Sequence, residues 1–313
     1  MNNESESRCV QYAVWSNCCN ACEFCLREER LPYSKQRQLF MIDAIKKNIN
    51  SVDWKNDFSY GISLLGGELY YITDKELQDA FLSLIDVIIE KILKVSDNPN
   101  CKYSTVTNGI YDPTFLYKVI DKIVDEVGIQ KVDLNFSYDL KHRFKNDEDR
   151  LKVLKNINDF HNRYNYSVGV QMILTQHVIN EWKNGNFEVN KFIKEEIPGS
   201  YITFLYPHPI HTGLKLDDFF FNRKDFLSFM RYLKSECYPI YYSFLQSTRN
   251  SCRFKYTGLK NRGVVDIMEK PQLTDGKEII NPKCGHSILY KCYSDCDKCV
   301  LCDLNNLDEE VYL

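Results

Sequence analysis

The placement of the cysteines constrains this chain more than any other feature. There are thirteen. Cys9, Cys18, Cys19, Cys22 and Cys25 crowd the start, and Cys284, Cys292, Cys296, Cys299 and Cys302 crowd the end. Only Cys101, Cys237 and Cys252 lie between them. An odd number in two tight clusters is a poor disulfide framework. Residues 1–8 are polar, with no basic segment followed by an apolar stretch, so no secretory signal is read there. No apolar run reaches about 18 residues, so no membrane span is expected. The expected compartment is therefore the cytoplasm, where thiols stay reduced and clustered cysteines bind metal. Two clusters predict two metal sites.

The stretch between the clusters alternates two periodicities. β-rich runs cover residues 8–15, 60–65, 102–107, 132–138, 166–174 and 201–206. Helical spacing of apolar residues covers 35–50, 74–95, 113–127, 147–164, 189–196 and 222–235. Thr73 is the expected N-cap of the second helix, and Asp112 and Gly128 bracket the third. Six strand–helix units in strict alternation predict an α/β fold with a parallel sheet, either open or a partial barrel. At 313 residues with 44% apolar content, the chain can build a sizeable core. Residues 238–245 are aromatic-rich and read as a further strand. Beyond residue 236 the periodicity fades. The expected domains are therefore residues 1–236 and a loop-rich appendage, 237–313, too small to fold without a metal staple.

The first cluster has the spacing C-x3-C-x2-C over Cys18, Cys22 and Cys25 and follows the first strand. Active sites of α/β folds gather at that strand end. Three thiolates can hold three irons of a [4Fe–4S] cluster and leave the fourth iron open to a small molecule. Zinc, or simply reduced buried cysteines, is the competing reading, and Cys19 is a competing ligand.

The run CNACEFC, with Phe24 before the last cysteine, resembles the signature of the radical S-adenosylmethionine (radical SAM) superfamily. Downstream motifs follow in that family's order. Gly66-Gly67-Glu68 resembles its GGE motif, although Leu69 stands where Pro is common. Thr107-Asn108-Gly109 resembles the TNG after its third strand. Ser137 and Asp139 fall where the family contacts the methionyl carboxylate or the ribose, and Gln171 is a further polar candidate. The resemblance covers about residues 8–236. It implies a partial (β/α)6 TIM-like barrel that binds a [4Fe–4S] cluster and S-adenosyl-L-methionine (AdoMet). Glu68 would accept a hydrogen bond from the methionyl amino group. Phe24, Gly66, Gly67, Asn108, Ser137, Asp139 and Gln171 would line the pocket. Reductive cleavage of AdoMet would give a 5′-deoxyadenosyl radical for hydrogen abstraction, an oxidoreductase chemistry. A flavodoxin or ferredoxin is the implied electron donor.

In the tail, Cys284, Cys292, Cys296, Cys299 and Cys302 follow an Asp275-Gly276 hairpin signal, with Cys252 upstream. This arrangement is similar to the SPASM and twitch extensions of the same superfamily, which hold auxiliary Fe–S clusters. The spacings of three, two and two are tighter than the usual SPASM run. A structural zinc site on Cys296 and Cys299 with Cys284, Cys292 or His286 is the alternative.

Lys plus Arg number 40 against 43 for Asp plus Glu, a net charge of −3, which excludes a generally basic nucleic-acid binder. Residues 249–262 carry five basic residues with Phe254 and Tyr256 between them, a candidate surface for an acidic peptide or a nucleic-acid strand, or a solvated basic loop. His208 and His211 sit after the sixth strand as candidate substrate or proton-relay groups. Three functions remain: a radical SAM enzyme that modifies a peptide or protein; one acting on a nucleotide, nucleic acid or small metabolite; and a non-enzymatic zinc-binding interaction module. The SPASM-like tail favours the first. No separate leader-binding domain is visible ahead of the cysteine motif at residue 18, so a peptide substrate is expected to be recognised by the barrel, the tail or a partner protein, which weakens that reading without removing it.

Overall fold

Alternation of apolar and polar residues decides which side of each strand is covered. A computed structural model describes residues 10–15, 17–20, 22, 34–52, 54, 61–205, 221–253 and 264–265, the stretches 246–253 and 264–265 by backbone alone. The strands are β1 (Val10–Trp15), β2 (Gly61–Gly66), β3 (Lys102–Thr107), β4 (Val132–Tyr138), β5 (Gly169–Ile173), β6 (Tyr201–Leu205) and β7 (Val264–Val265). They form one sheet in the order β6-β5-β4-β3-β2-β1-β7, and every pair is parallel. β1 to β6 are thus neighbours in chain order, and among the described residues the sheet does not close.

The helices are α1 (Lys35–Asn50), α2 (Lys75–Ile88), α3 (Thr114–Val127), α4 (Asp147–Tyr164), α5 (Gln176–Lys183), α6 (Val189–Glu195), α7 (Arg223–Glu236) and α8 (Tyr238–Arg253). Crossovers that always step the same way and keep the general right-handed sense put helices on one side of the sheet. Register identifies that side. Tyr12, Leu64, Thr105, Leu134 and, one row on, Phe136, Val170 and Ile202 line up across the strands, all nearly fully buried. The apolar stripes of the helices complete that core: Ile42 and Ile45, Phe81 and Ile85, Val119 and Ile123, Val153 and Ile157, and Phe226 and Phe229. The opposite face carries Ala13, Ser63, Ser104, Asp133, Asn135, Ser137, Gln171 and Thr203, and most of these are only half-buried.

Helix starts follow local chemistry. Ser34, Asp74, Asn146, Thr175, Glu188 and Asn222 each accept a backbone N–H of the first turn through the side chain. Such caps contribute about 1 kcal/mol each.

Three expectations need correction. Asp74, not Thr73, caps the second helix, because its Oδ1 accepts the Leu77 backbone N–H at 3.1 Å; its Oδ2 also meets Lys35 at 3.0 Å. That helix changes at Ile89 into a π-turn, Ile89–Leu93. Residues 238–245 are helical: Ile240, Tyr241, Phe244 and Leu245 recur at helical spacing and are buried in the same core as α7. The aromatic content suggested a strand, but the 3.6-residue period prevailed. The short helix α5 went unread, because only Val178 and Ile179 of its eight residues are buried.

Candidate functional site

The C-terminal ends of β1, β2 and β3 are laced together by backbone. Beyond β1, Trp15 O accepts from Gly67 N at 2.8 Å and Asn17 O accepts from Glu68 N at 2.7 Å. The Trp15 indole donates to Glu68 O at 3.3 Å. The loop bearing Cys18, Cys19 and Cys22 is therefore anchored directly on the Gly66-Gly67-Glu68 turn. Gly66 is required there for a local reason. A Cβ on it would stand 2.2 Å from Leu69 Cδ2 and 3.1 Å from Trp15 O. Leu69, the departure from the usual motif, is buried and fills that space.

Glu68 is 1% exposed. Its Oε2 accepts from the Asn108 backbone N–H at 2.6 Å, and its Oε1 from the Thr107 hydroxyl at 3.0 Å and Tyr70 N at 3.4 Å. Burial pushes its carboxyl up to about 7, against the pull of those donors. Tyr111 lies within 2.6 Å of the Thr107 hydroxyl, and its phenol is raised by burial and then by the Glu68 charge. Asn156, from α4, holds the next turn by donating to Gly109 O at 2.7 Å and Tyr111 O at 3.2 Å. Gly109 itself has φ +65, and a Cβ there would come within 2.9 Å of the Phe136 ring.

Two asparagine amides meet the cysteine sulfurs. Asn108 Nδ2 lies 3.6 Å from Cys18 Sγ and 3.4 Å from Cys19 Sγ. Asn20 donates its backbone N–H to Cys18 Sγ at 3.4 Å and its side-chain amide to Cys22 Sγ at 3.3 Å. The same amide donates to Arg143 O at 2.9 Å, tying the cysteine loop to the turn after β4. Cys18 is exposed, whereas Cys19 is half-buried and packs against the apolar core. A hydrogen bond from Cys19 lowers the Cys18 thiol and raises that of Cys19.

Asp139 follows β4 and is 1% exposed. Its Oδ1 accepts from Lys141 N at 2.8 Å and His142 N at 2.5 Å, while its buried Oδ2 has no hydrogen-bond partner among the described residues. Ser137 and Gln171 are register partners on the polar face, both half-buried. The structure thus gathers Cys18, Cys22, Gly66, Gly67, Glu68 and Asn108, and sets Ser137 beside Gln171. Asn20 and Arg143 join the same cluster and had no sequence signal beyond lying in or between the motifs. His142, distant in sequence from the cysteines, adjoins Arg143, and its ring lies 6.4 Å from that of His177.

Phe24, Cys25, His208, His211, Cys284, Cys292, Cys296, Cys299 and Cys302 lie outside the described residues. Cys252 is placed by backbone only, within α8. Among the described residues no three metal-ligating side chains converge, and no helix is long and apolar enough to cross a membrane.

No protein-family model matches the chain, and no curated protein matches it. Among solved structures it is similar to Streptococcus suis SuiB, with 13% identity over 75% of this chain and 47% of that one, at a TM-score of 0.49. Similarity to SuiB bound to its precursor peptide SuiA is 14% over 74% and 47%, with a TM-score of 0.46. The chain spans about half the length of these structures.

Proposed function

We propose that this protein is a radical SAM enzyme that modifies a peptide or protein substrate. One observation carries the reading. Side chains from three separate motifs, Cys18 and Cys22 after β1, Glu68 after β2 and Asn108 after β3, meet at one edge of a parallel sheet. Ordering strands β1 to β6 by sequence, with helices on one side, is what a partial (β/α)6 barrel requires, and the half-buried polar face would be its interior. The proposed organisation is a barrel over residues 1–236 and a cysteine-rich extension over 237–313, whose first helix, α8, packs into the barrel core and whose β7 pairs with β1.

The residues fit the implied cofactors. Cys18 is exposed at the edge and Cys22 shares Asn20 with it, while Cys19 turns to the core. Cys25 would be the third cluster ligand. The Oδ2 of Asp139, without a partner among the described residues, is an acceptor fit for a hydroxyl group such as the AdoMet ribose. When bound, a [4Fe–4S] cluster and AdoMet would supply one-electron reductive cleavage to methionine and a 5′-deoxyadenosyl radical that takes a hydrogen atom from substrate. Glu68 keeps lone-pair capacity on Oε2 and would accept a hydrogen bond from the methionyl amino group. Thr107, Tyr70 and the Asn108 N–H hold it in one orientation. Cys252, Cys284, Cys292, Cys296, Cys299 and Cys302 would hold an auxiliary Fe–S cluster, with zinc as the competing metal. A flavodoxin or ferredoxin in the cytoplasm would supply electrons.

The test is anaerobic reconstitution, with iron, sulfide and zinc measured per chain and 5′-deoxyadenosine measured after dithionite and AdoMet. Wild type is expected to hold about four irons more than the Cys18/Cys22/Cys25→Ala variant and alone to form 5′-deoxyadenosine. Iron retained by the variant locates an auxiliary cluster in the tail. Zinc at both sites with no AdoMet cleavage sinks the enzyme reading.

A further inference from the structure

We infer that Asn20 and Asn108 are positioning residues whose amide N–H groups hydrogen-bond the cluster thiolates and raise the reduction potential of the cluster. The inference rests on the radical SAM reading and goes beyond it, because neither side chain belongs to the ligand set and Asn108 was expected only to line the AdoMet pocket.

The geometry leaves little choice of amide orientation. Asn108 Oδ1 accepts the Ile110 backbone N–H at 3.0 Å. Rotating the amide would set its NH2 against that N–H, so the Nδ2 must face the sulfurs of Cys18 and Cys19. Asn20 Nδ2 faces the Arg143 carbonyl, and rotating it would oppose two oxygens, so the amide's other N–H points to Cys22 Sγ. Both side chains are about 95% buried, so water does not compete for these donors. Cys18 Sγ thus receives the Asn20 backbone N–H and the Asn108 amide, and Cys22 Sγ receives the Asn20 amide.

A thiol accepts such bonds weakly and a thiolate strongly. Donors already aimed at the sulfurs therefore act most on the ligated form. Adding an electron to a cluster increases negative charge on its sulfurs, so each N–H···S bond favours the reduced state. Asn20 has a second effect. Its bond to Arg143 O couples the cysteine loop to the turn after β4, which also contains Asp139 and His142.

The experiment is a potentiometric titration followed by electron paramagnetic resonance, on the full chain. The signal followed is the one absent from Cys18→Ala. Wild type, Asn20→Ala and Asn108→Ala are compared at equal iron content. Each variant is expected to be harder to reduce, with a roughly tenfold smaller reduction equilibrium constant, equivalent to a 59 mV lower midpoint for a one-electron couple. Sulfur K-edge absorption should show stronger Fe–S pre-edge intensity in the variants, as donation to sulfur is lost. Should an alanine variant fail to hold iron, Asn108→Asp and Asn20→Asp keep the acceptor oxygen and lack the amide N–H; a still lower potential is expected of them. Midpoints equal to or above wild type in iron-replete variants would overturn the inference and leave the enzyme reading intact. Wild-type protein with no signal dependent on Cys18 would overturn both.

Discussion

The two faces of the sheet are built from alternate residues of the same strands, yet they serve different ends. On β4, Leu134, Phe136 and Tyr138 point to the helices and are 2% exposed or less. Between them Asp133, Asn135 and Ser137 point the other way, with Asp133 bound to the Ser104 hydroxyl at 3.0 Å and the Asn135 amide at 3.2 Å. Ser137 and Gln171 have no side-chain hydrogen bond among the described residues. The lesson is a separation of stability from chemistry. The apolar face pins the strand ends, so the polar face and the C-terminal edge can carry groups that contribute little to folding.

The largest effect expected from this comparison is on the apolar face. Phe136→Ala should cost about 3–5 kcal/mol in urea unfolding, because its ring packs under Gly109 and against Phe160. A loss below about 1 kcal/mol would break the comparison.

Glu68 sharpens it, as a titratable group buried at the seam. Its carboxyl titrates near 7 in the fold, above an unfolded value of about 4.3. The folded state then binds more protons across that window. Stability of the metal-free protein should fall as pH rises from about 4.3 to about 7, by about 4 kcal/mol relative to Glu68→Gln, and stay level above. Parallel unfolding curves for the two proteins at every pH would refute this.

Asn156→Ala should cost about 1–3 kcal/mol, since it leaves the buried carbonyls of Gly109 and Tyr111 without their donor. It should also loosen the turn that presents Asn108. Smallest of all, Ser137→Ala on the polar face should change stability by no more than about 0.5 kcal/mol. On the proposed function, it should weaken AdoMet binding roughly fivefold in equilibrium dialysis, the worth of one hydrogen bond of ~1 kcal/mol. A large stability loss with unchanged AdoMet binding would reverse the assignment of the two faces.

Much of the fold was legible because it rests on local periodicity. The extents of α1, β3, β4 and α4 follow directly from where the apolar spacing starts and stops. α8 was misread because aromatic residues favour strands, whereas its buried residues Ile240, Tyr241, Phe244 and Leu245 recur at helical spacing and pack against α7 and β6. In the site, the cysteine spacing and the Gly66-Gly67-Glu68 and Thr107-Asn108-Gly109 turns stood out. Asn20 did not, because an asparagine between two cysteines has no periodicity, and its partner Arg143 lies 123 residues away.

The amino-acid sequence by itself determined the alternation of strands and helices, the position of each motif at a strand end, and the chemistry those residue types can support. These follow from short-range spacing and side-chain type. Only the tertiary structure decided which sulfur faces outward, why Gly66 must lack a side chain, and which donors the two asparagines direct at Cys18 and Cys22. Those outcomes depend on backbone from β1, β2, β3 and the turn after β4 meeting within hydrogen-bond distance, and contacts between residues so far apart in the chain leave no periodic trace in it.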